Sequence, residues 1–161
     1  MAWQGGSQGQ FGDRVHNGHD YYPKGFNKVT TTGFAKGNVL YADPTDAFRL
    51  RLGTVGDVGP FYVAYAATIA SDPRQHCWHD EGNWLVLQAT NATIRPNSLV
   101  IPDTGKVKER GADVTTGVLG VCQGSIDMHA ELTSNNVIQD TVPANGYAVI
   151  KIMNIVRLPT V

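Results

Sequence analysis

Residues 93–124 read TIRPNSLVIPDTGKVKERGADVTTGVLGVCQG. Short β-prone runs, SLVI, KVKE and GVLGV, alternate here with Arg95-Pro96-Asn97 and Asp103-Thr104-Gly105. Proline presets φ, Asn and Gly tolerate the left-handed region, and Asp caps its own backbone, so each interruption is a turn with a physical cause. Asp103-Thr104-Gly105, between SLVIP and KVKE, has the form of a hairpin tip in which Gly105 takes the positive φ. Nothing in the stretch groups catalytic side chains. A chain that organises its clearest region this way is building a surface rather than a pocket.

The same grammar extends outward in both directions. Ala47–Leu52 alternates strictly, with Phe48, Leu50 and Leu52 on one face and Arg49 and Arg51 on the other, which predicts a strand with one wet side. Pro60–Ile69, PFYVAYAATI, is almost wholly apolar and predicts a strand covered on both faces, central in its sheet. Trp84–Ala89, Ser98–Ile101, Gly117–Val121 and His129–Thr133 are shorter candidates, and Gly146–Val156 closes the chain as a long strand. Turn signals at Asp43-Pro44, Gly56-Asp57, Asp72-Pro73, Glu81-Gly82-Asn83 and Pro143-Ala144-Asn145-Gly146 fall at the spacing of an all-β domain. No helix longer than about two turns is expected, and no repeat of solenoid or propeller period is visible. The expected fold is a single all-β body over residues 28–161, a β-barrel or β-sandwich with short connections.

Residues 1–27 differ in kind. Gly, Gln, Asn and Asp surround scattered aromatics, Trp3, Phe11, Tyr21, Tyr22 and Phe26, with no period joining them. Such a segment cannot bury a continuous face on its own, so it reads as an extended arm whose rings are anchors for a partner surface. The alternative is a flexible terminus, against which the aromatic content stands.

At 161 residues the chain suits one domain with a self-sufficient core. A formal charge of −1 gives no footprint for a phosphate backbone, so nucleic acid is not an expected partner. No apolar run has the roughly 20 residues needed to span a bilayer, and MAWQGGSQGQFGDR shows neither a basic leader nor a hydrophobic h-region. A soluble protein without a membrane partner is expected, its two cysteines, Cys77 and Cys122, buried as thiols.

The sharpest cluster of reactive types is His76-Cys77-Trp78-His79-Asp80-Glu81. Zinc needs converging ligands and normally a second paired knuckle, which is not present, so the segment reads as a polar loop and no metal or cofactor is expected. No thiol-hydrolase signature surrounds Cys77 or Cys122. Gly53-Thr54-Val55-Gly56-Asp57-Val58-Gly59 has neither a dinucleotide fingerprint nor the Lys-Ser/Thr of a phosphate loop, and reads as a flexible β connection. Asp80 with Glu81, and Glu109 with Asp113, read as ordinary loop acids. Asn91-Ala92-Thr93 matches a glycosylation acceptor, a chance match in a chain without a secretory signal.

One ordered set of pieces carries a resemblance. Ile94-Arg95-Pro96-Asn97-Ser98-Leu99-Val100 is followed by Asp103-Thr104-Gly105-Lys106-Val107, then by Ala112-Asp113-Val114-Thr115-Thr116-Gly117-Val118-Leu119-Gly120-Val121, then by the strand from Tyr147. This order resembles the cement, or decoration, proteins that coat tailed-bacteriophage capsids. The resemblance spans the second half of the chain; Pro60–Asn91 does not align with it. It implies a β-barrel or β-sandwich body without catalytic activity, made in the host cytoplasm and attached to the outer capsid surface of the virion. The implied partners are the major capsid protein and further copies of the chain in a trimer or dimer. The implied function is to stabilise the mature shell. The main rival is a carbohydrate-binding or adhesin-like β domain, using loop-borne Trp78, Trp84, His76 and His79 to stack on a sugar ring.

Overall fold

The computed structural model describes Phe11 and residues 14–15, 29–30, 33–46, 49–59, 61–64, 77–78 and 82–153. In chain order its strands are β1 (Arg14–Val15), β2 (Val29–Thr30), β3 (Val39–Ala42), β4 (Arg49–Leu52), β5 (Phe61–Ala64), β6 (Cys77–Trp78), β7 (Trp84–Gln88), β8 (Leu99–Asp103), β9 (Lys106–Glu109), β10 (Gly120–Ile126), β11 (Val137–Ile138) and β12 (Tyr147–Ile152). A 3-10 turn, Ser134–Asn136, precedes β11. The larger sheet runs β1-β7-β12-β10-β8-β9 with β11 beside the far half of β10, and the smaller runs β2-β4-β3-β5-β6. Among the described strands the ladders are antiparallel except β2 with β4, and the isolated bridge Ala89–Val107 is parallel as well. The expected all-β class is observed, in sandwich-like form.

One buried cluster joins the two sheets. Val39, Tyr41, Phe61 and Val63 of the smaller sheet meet Leu85, Leu87, Ile150 and Ile152 of the larger. The outer face of the larger sheet is covered too, where Val86 and Val149 pack with Ile126, Met128 and Leu132. Coverage on both faces explains why β12 reads as an apolar run rather than an alternation. The larger sheet also curls, since the Thr90 N–H donates to the Val107 carbonyl at 2.9 Å and brings β9 back to the end of β7.

β4 alternates as expected at its first two positions: Leu50 is fully buried and Arg49 exposed. β5 lies inside its sheet with Phe61 and Val63 on the shared core and Ala64 on the opposite cluster. The hairpin tip has the predicted form. Asp103 pairs with Lys106, and both intervening residues have positive φ, Thr104 at 51° and Gly105 at 76°. Gly105 serves a second purpose, because its N–H donates to the Gly53 carbonyl at 2.7 Å and its carbonyl accepts from Val39 N–H at 2.8 Å. A Cβ there would lie 2.8 Å from Leu52 Cδ2. The tip therefore stitches the larger sheet to the smaller one chiefly through backbone, with the Asn38 side-chain amide adding a 3.4 Å bond to the Gly105 carbonyl.

Two predicted strands differ. Gly117–Val121 is not the strand: β10 starts at Gly120 and continues through Gly124 to Ile126, with strictly alternating burial. Gly124 sits at φ 131° where the register with β12 shifts, and a Cβ there would stand 2.1 Å from the Ile138 carbonyl oxygen. A glycine-marked bulge thus lets β10 run along β12 while meeting β8 at its start and β11 at its end. His129–Thr133 forms no strand either; the Asp127 carboxylate accepts from His129 N–H at 2.8 Å to close a turn. Leu132 is buried there as a plug on the sheet rather than as a ladder residue.

The arm meets the body at the points that are described. β1 adds to the outer edge of β7, Arg14 opposite Leu85 and Val15 opposite Trp84. Phe11 packs against the outer cluster, its ring centroid 4.7 Å from that of Tyr147. An unpaired edge and an apolar cluster are what an aromatic-bearing segment can satisfy locally. Trp3, Tyr21, Tyr22 and Phe26 lie outside the described residues.

Candidate interaction surface

Two connections come together at one end of the sandwich: residues 53–59 between β4 and β5, and residues 110–119 between β9 and β10. Each is organised by one aspartate. Asp57 receives Nη1 of Arg51 at 2.8 Å and pairs through its other oxygen with Nη2, while its Oδ2 also accepts from Thr54 N–H at 2.8 Å. The hydrogen bond to Asp57 is the largest reason that the Arg51 pKa is raised. The Tyr41 phenol beside this pair is also raised, by burial first and by the Asp57 charge second.

Asp113 organises the other loop. Its Oδ1 accepts from the N–H groups of Thr115 and Thr116 at 2.8 and 3.1 Å and from the Thr115 hydroxyl at 2.9 Å. Its Oδ2 accepts from the Thr116 hydroxyl at 2.7 Å. These donors, the Thr116 hydroxyl foremost, hold the Asp113 carboxyl well below the usual carboxylate range. Thr116 is also the clasp between the loops. Its buried hydroxyl oxygen accepts from Gly56 N–H at 2.8 Å, and Gly117 N–H donates to the Asp57 carbonyl at 2.7 Å.

The glycine-rich 53–59 stretch is therefore a locked loop, not the flexible connection its composition suggested. With both carboxylates turned to internal donors, the outward residues are Val55, Val58 and Val114, exposed to 41%, 48% and 41%, with Thr54, Ala112 and Thr115. Rigid loops that hold β-branched apolar side chains in solvent suit contact with another protein, because little conformational freedom is left to lose on binding. Nothing in the sequence signalled that these distant loops meet, since the clasp is a tertiary bond across 60 positions.

The remaining candidate residues divide as follows. Glu109 is part of a different cluster: it takes a bidentate bond from the Arg95 guanidinium, with Oε2 to Nη2 at 3.0 Å, and a 3.1 Å bond from the Ser98 hydroxyl. The Arg95 hydrogen bond is the main cause of its lowered pKa. This pair borders a shallow, open depression with Leu99, Arg110 and Gly111. Glu109 and Asp113 thus act separately and do not converge. Cys122 is a buried free thiol whose pKa is pushed up to about 11, first by burial, which makes it a poor nucleophile. Trp84 packs partly buried against the outer cluster, so its ring is in use as core. His76, His79, Asp80 and Glu81 lie outside the described residues, as do the side chains of Cys77 and Trp78. Among the described residues no group of three His, Cys, Asp or Glu side chains is placed to hold a metal.

No protein-family model matches this sequence, and no curated protein matches it either.

Proposed function

We propose that this protein is a structural component of a bacteriophage virion, a cement protein that binds the outer surface of the capsid and stabilises the mature shell without catalysing a reaction. The observation that carries the reading is the clasped pair of loops, which offers three outward valines on a scaffold whose own charges are internally satisfied. The resemblance over Ile94–Val121 and the strand from Tyr147 supplies the capsid; the loops supply a surface suited to protein contact. A ligand that binds the assembled shell and not separated subunits favours the assembled state by mass action. Several copies acting from one oligomer add avidity through high effective concentration.

Cosedimentation of the purified protein with mature and immature shells tests this. Saturable binding to mature shells, with a raised shell melting temperature, is the expected result. Equal partition with and without shells would remove the capsid role, and retention on a glycan array instead would favour the adhesin reading.

A further inference from the structure

We infer that the valine-bearing surface takes a carboxylate of its partner as well as an apolar patch, and that Arg110 is the group that receives it. The inference rests on the reading above and deepens it, since it states the chemistry of the protein that docks on the two loops. Four arginine side chains are described. Three of them hold a carboxylate of this chain: Arg49 with Asp46, Arg51 with Asp57 and Arg95 with Glu109. Arg110 does not. Its side chain is half-buried and its Nε donates to the Asp113 carbonyl at 2.5 Å, which leaves Nη1 and Nη2 without an acceptor among the described residues.

The neighbouring acids are already filled. Glu109 takes Arg95 and the Ser98 hydroxyl, and Asp113 takes the Thr115 and Thr116 donors, so neither turns to Arg110. With Nε engaged, the free end of the guanidinium presents two N–H groups side by side, the geometry that meets both oxygens of a carboxylate. The bond to Asp113 also orders the side chain beforehand, so little rotamer freedom is left to lose on binding. Position ties it to the valines: Asp113 N–H donates to the Arg110 carbonyl at 3.0 Å, closing a turn that begins at Arg110 and hands on to Val114. On its other side Arg110 borders the depression it shares with Arg95, Ser98, Leu99 and Gly111, about 210 Å³ in volume. That is open and smaller than the roughly 300 Å³ at which small-molecule pockets begin, so it suits one side chain presented by a docked protein. An apolar patch with a preset cation at its rim is complementary to a segment in which Asp or Glu stands beside apolar residues.

Two measurements on the full chain test it. Panning a random dodecapeptide library should recover sequences that place Asp or Glu next to apolar residues. Arg110→Gln should lose the acidic preference and keep the apolar one, and Arg110→Lys should regain it in part, because the charge returns without the fork. Peptides with no acidic preference, the same preference from Arg110→Gln, or no recovered peptide at all overturn the inference. In cosedimentation with mature shells, Arg110→Gln should bind about tenfold more weakly than the parent and respond less to salt between about 50 and 200 mM. Should Arg110→Gln lower the thermal melt, Arg110→Lys carries the comparison, with binding about threefold weaker. Shell binding that neither variant weakens overturns the inference and leaves the capsid reading standing. Absence of shell binding by the parent removes the capsid reading instead, and the peptide result then decides the role of Arg110.

Discussion

Replacing Val55, Val58 and Val114 together by serine should weaken shell binding without harming the fold. Each valine still shows between 41% and 48% of its surface to solvent, so together they hold a little more than one whole valine side chain available for burial against a partner. Full burial of a valine contributes about 1.5 kcal/mol, which places the joint contribution at about 2 kcal/mol per contact and the expected loss of affinity at about 30-fold. Folding should barely respond, because surface substitutions away from caps and cores change stability by about 0.5 kcal/mol or less each. The bonds that fix the loops are also untouched: Asp57, Asp113 and Thr116 keep every partner named above. The assay is a binding isotherm from cosedimentation with mature shells, run beside a thermal melt of the free protein. Affinity within about threefold of the parent, with an unchanged melt, would refute the assignment of this surface. A Thr116→Val control separates rigidity from contact, since it removes the clasp while leaving all three valines in place.

Three further outcomes follow from single positions. Thr104→Asn should stabilise the hairpin, because a β-branched residue sits at φ 51° where Asn is better tolerated; a gain of about 0.5–1 kcal/mol should raise the melting temperature by about 2 °C, and a fall would refute the strain. Gly124→Ala should cost several kcal/mol, since the new Cβ would stand 2.1 Å from the Ile138 carbonyl oxygen at φ 131°, and a melting temperature near the parent's would refute the bulge. Glu109 has a folded pKa depressed below its ordinary 4.5, chiefly by Arg95, so its contribution is complete above that value and is lost as pH falls through the lower folded one. Urea unfolding from neutral pH downward should therefore show stability declining below that point, and Glu109→Gln should flatten the decline; an equally steep decline in the variant would place the linkage elsewhere.

What could be read from the sequence was local. The tip at Asp103-Thr104-Gly105 is specified by its own residues, and so is the alternation at Arg49 and Leu50, because turn chemistry and a period of two need no knowledge of the partner. β5 and β12 were legible for a related reason: a run apolar on both sides announces cover on both faces. Where prediction failed, a distant element decided. Gly117–Val121 reads as the strand until the Ile138 carbonyl is seen lying against Gly124, where β10 runs on to Ile126, and His129–Thr133 reads as a strand until Leu132 is found plugging the outer cluster. The interaction surface was hidden in the same way. Gly53–Gly59 has the composition of a loose connection and becomes rigid only through Arg51 behind it and Thr116 across from it.

A recurring device explains how such short strands hold one register. Phe34, Ile94 and Val142 are each buried, and three residues later Gly37, Asn97 and Asn145 have positive φ of 86°, 64° and 59°. Each of those three residues donates its N–H to the carbonyl of a neighbouring segment: Gly37 to Ala64 at 2.6 Å, Asn97 to Cys122 at 2.8 Å and Asn145 to Thr90 at 2.7 Å. The following residue donates back to position 35, 95 or 143, and two residues after the positive φ a strand begins, β3, β8 or β12. A buried anchor fixes depth, the left-handed residue fixes direction, and the donated bond fixes which neighbour the strand will join. The spacings of 60 and 48 residues are unequal, so no fixed period betrays the repetition in the sequence. Because these launches set register locally, the other connections between strands are left free to carry other duties, and the clasped valine loops are built from two of them.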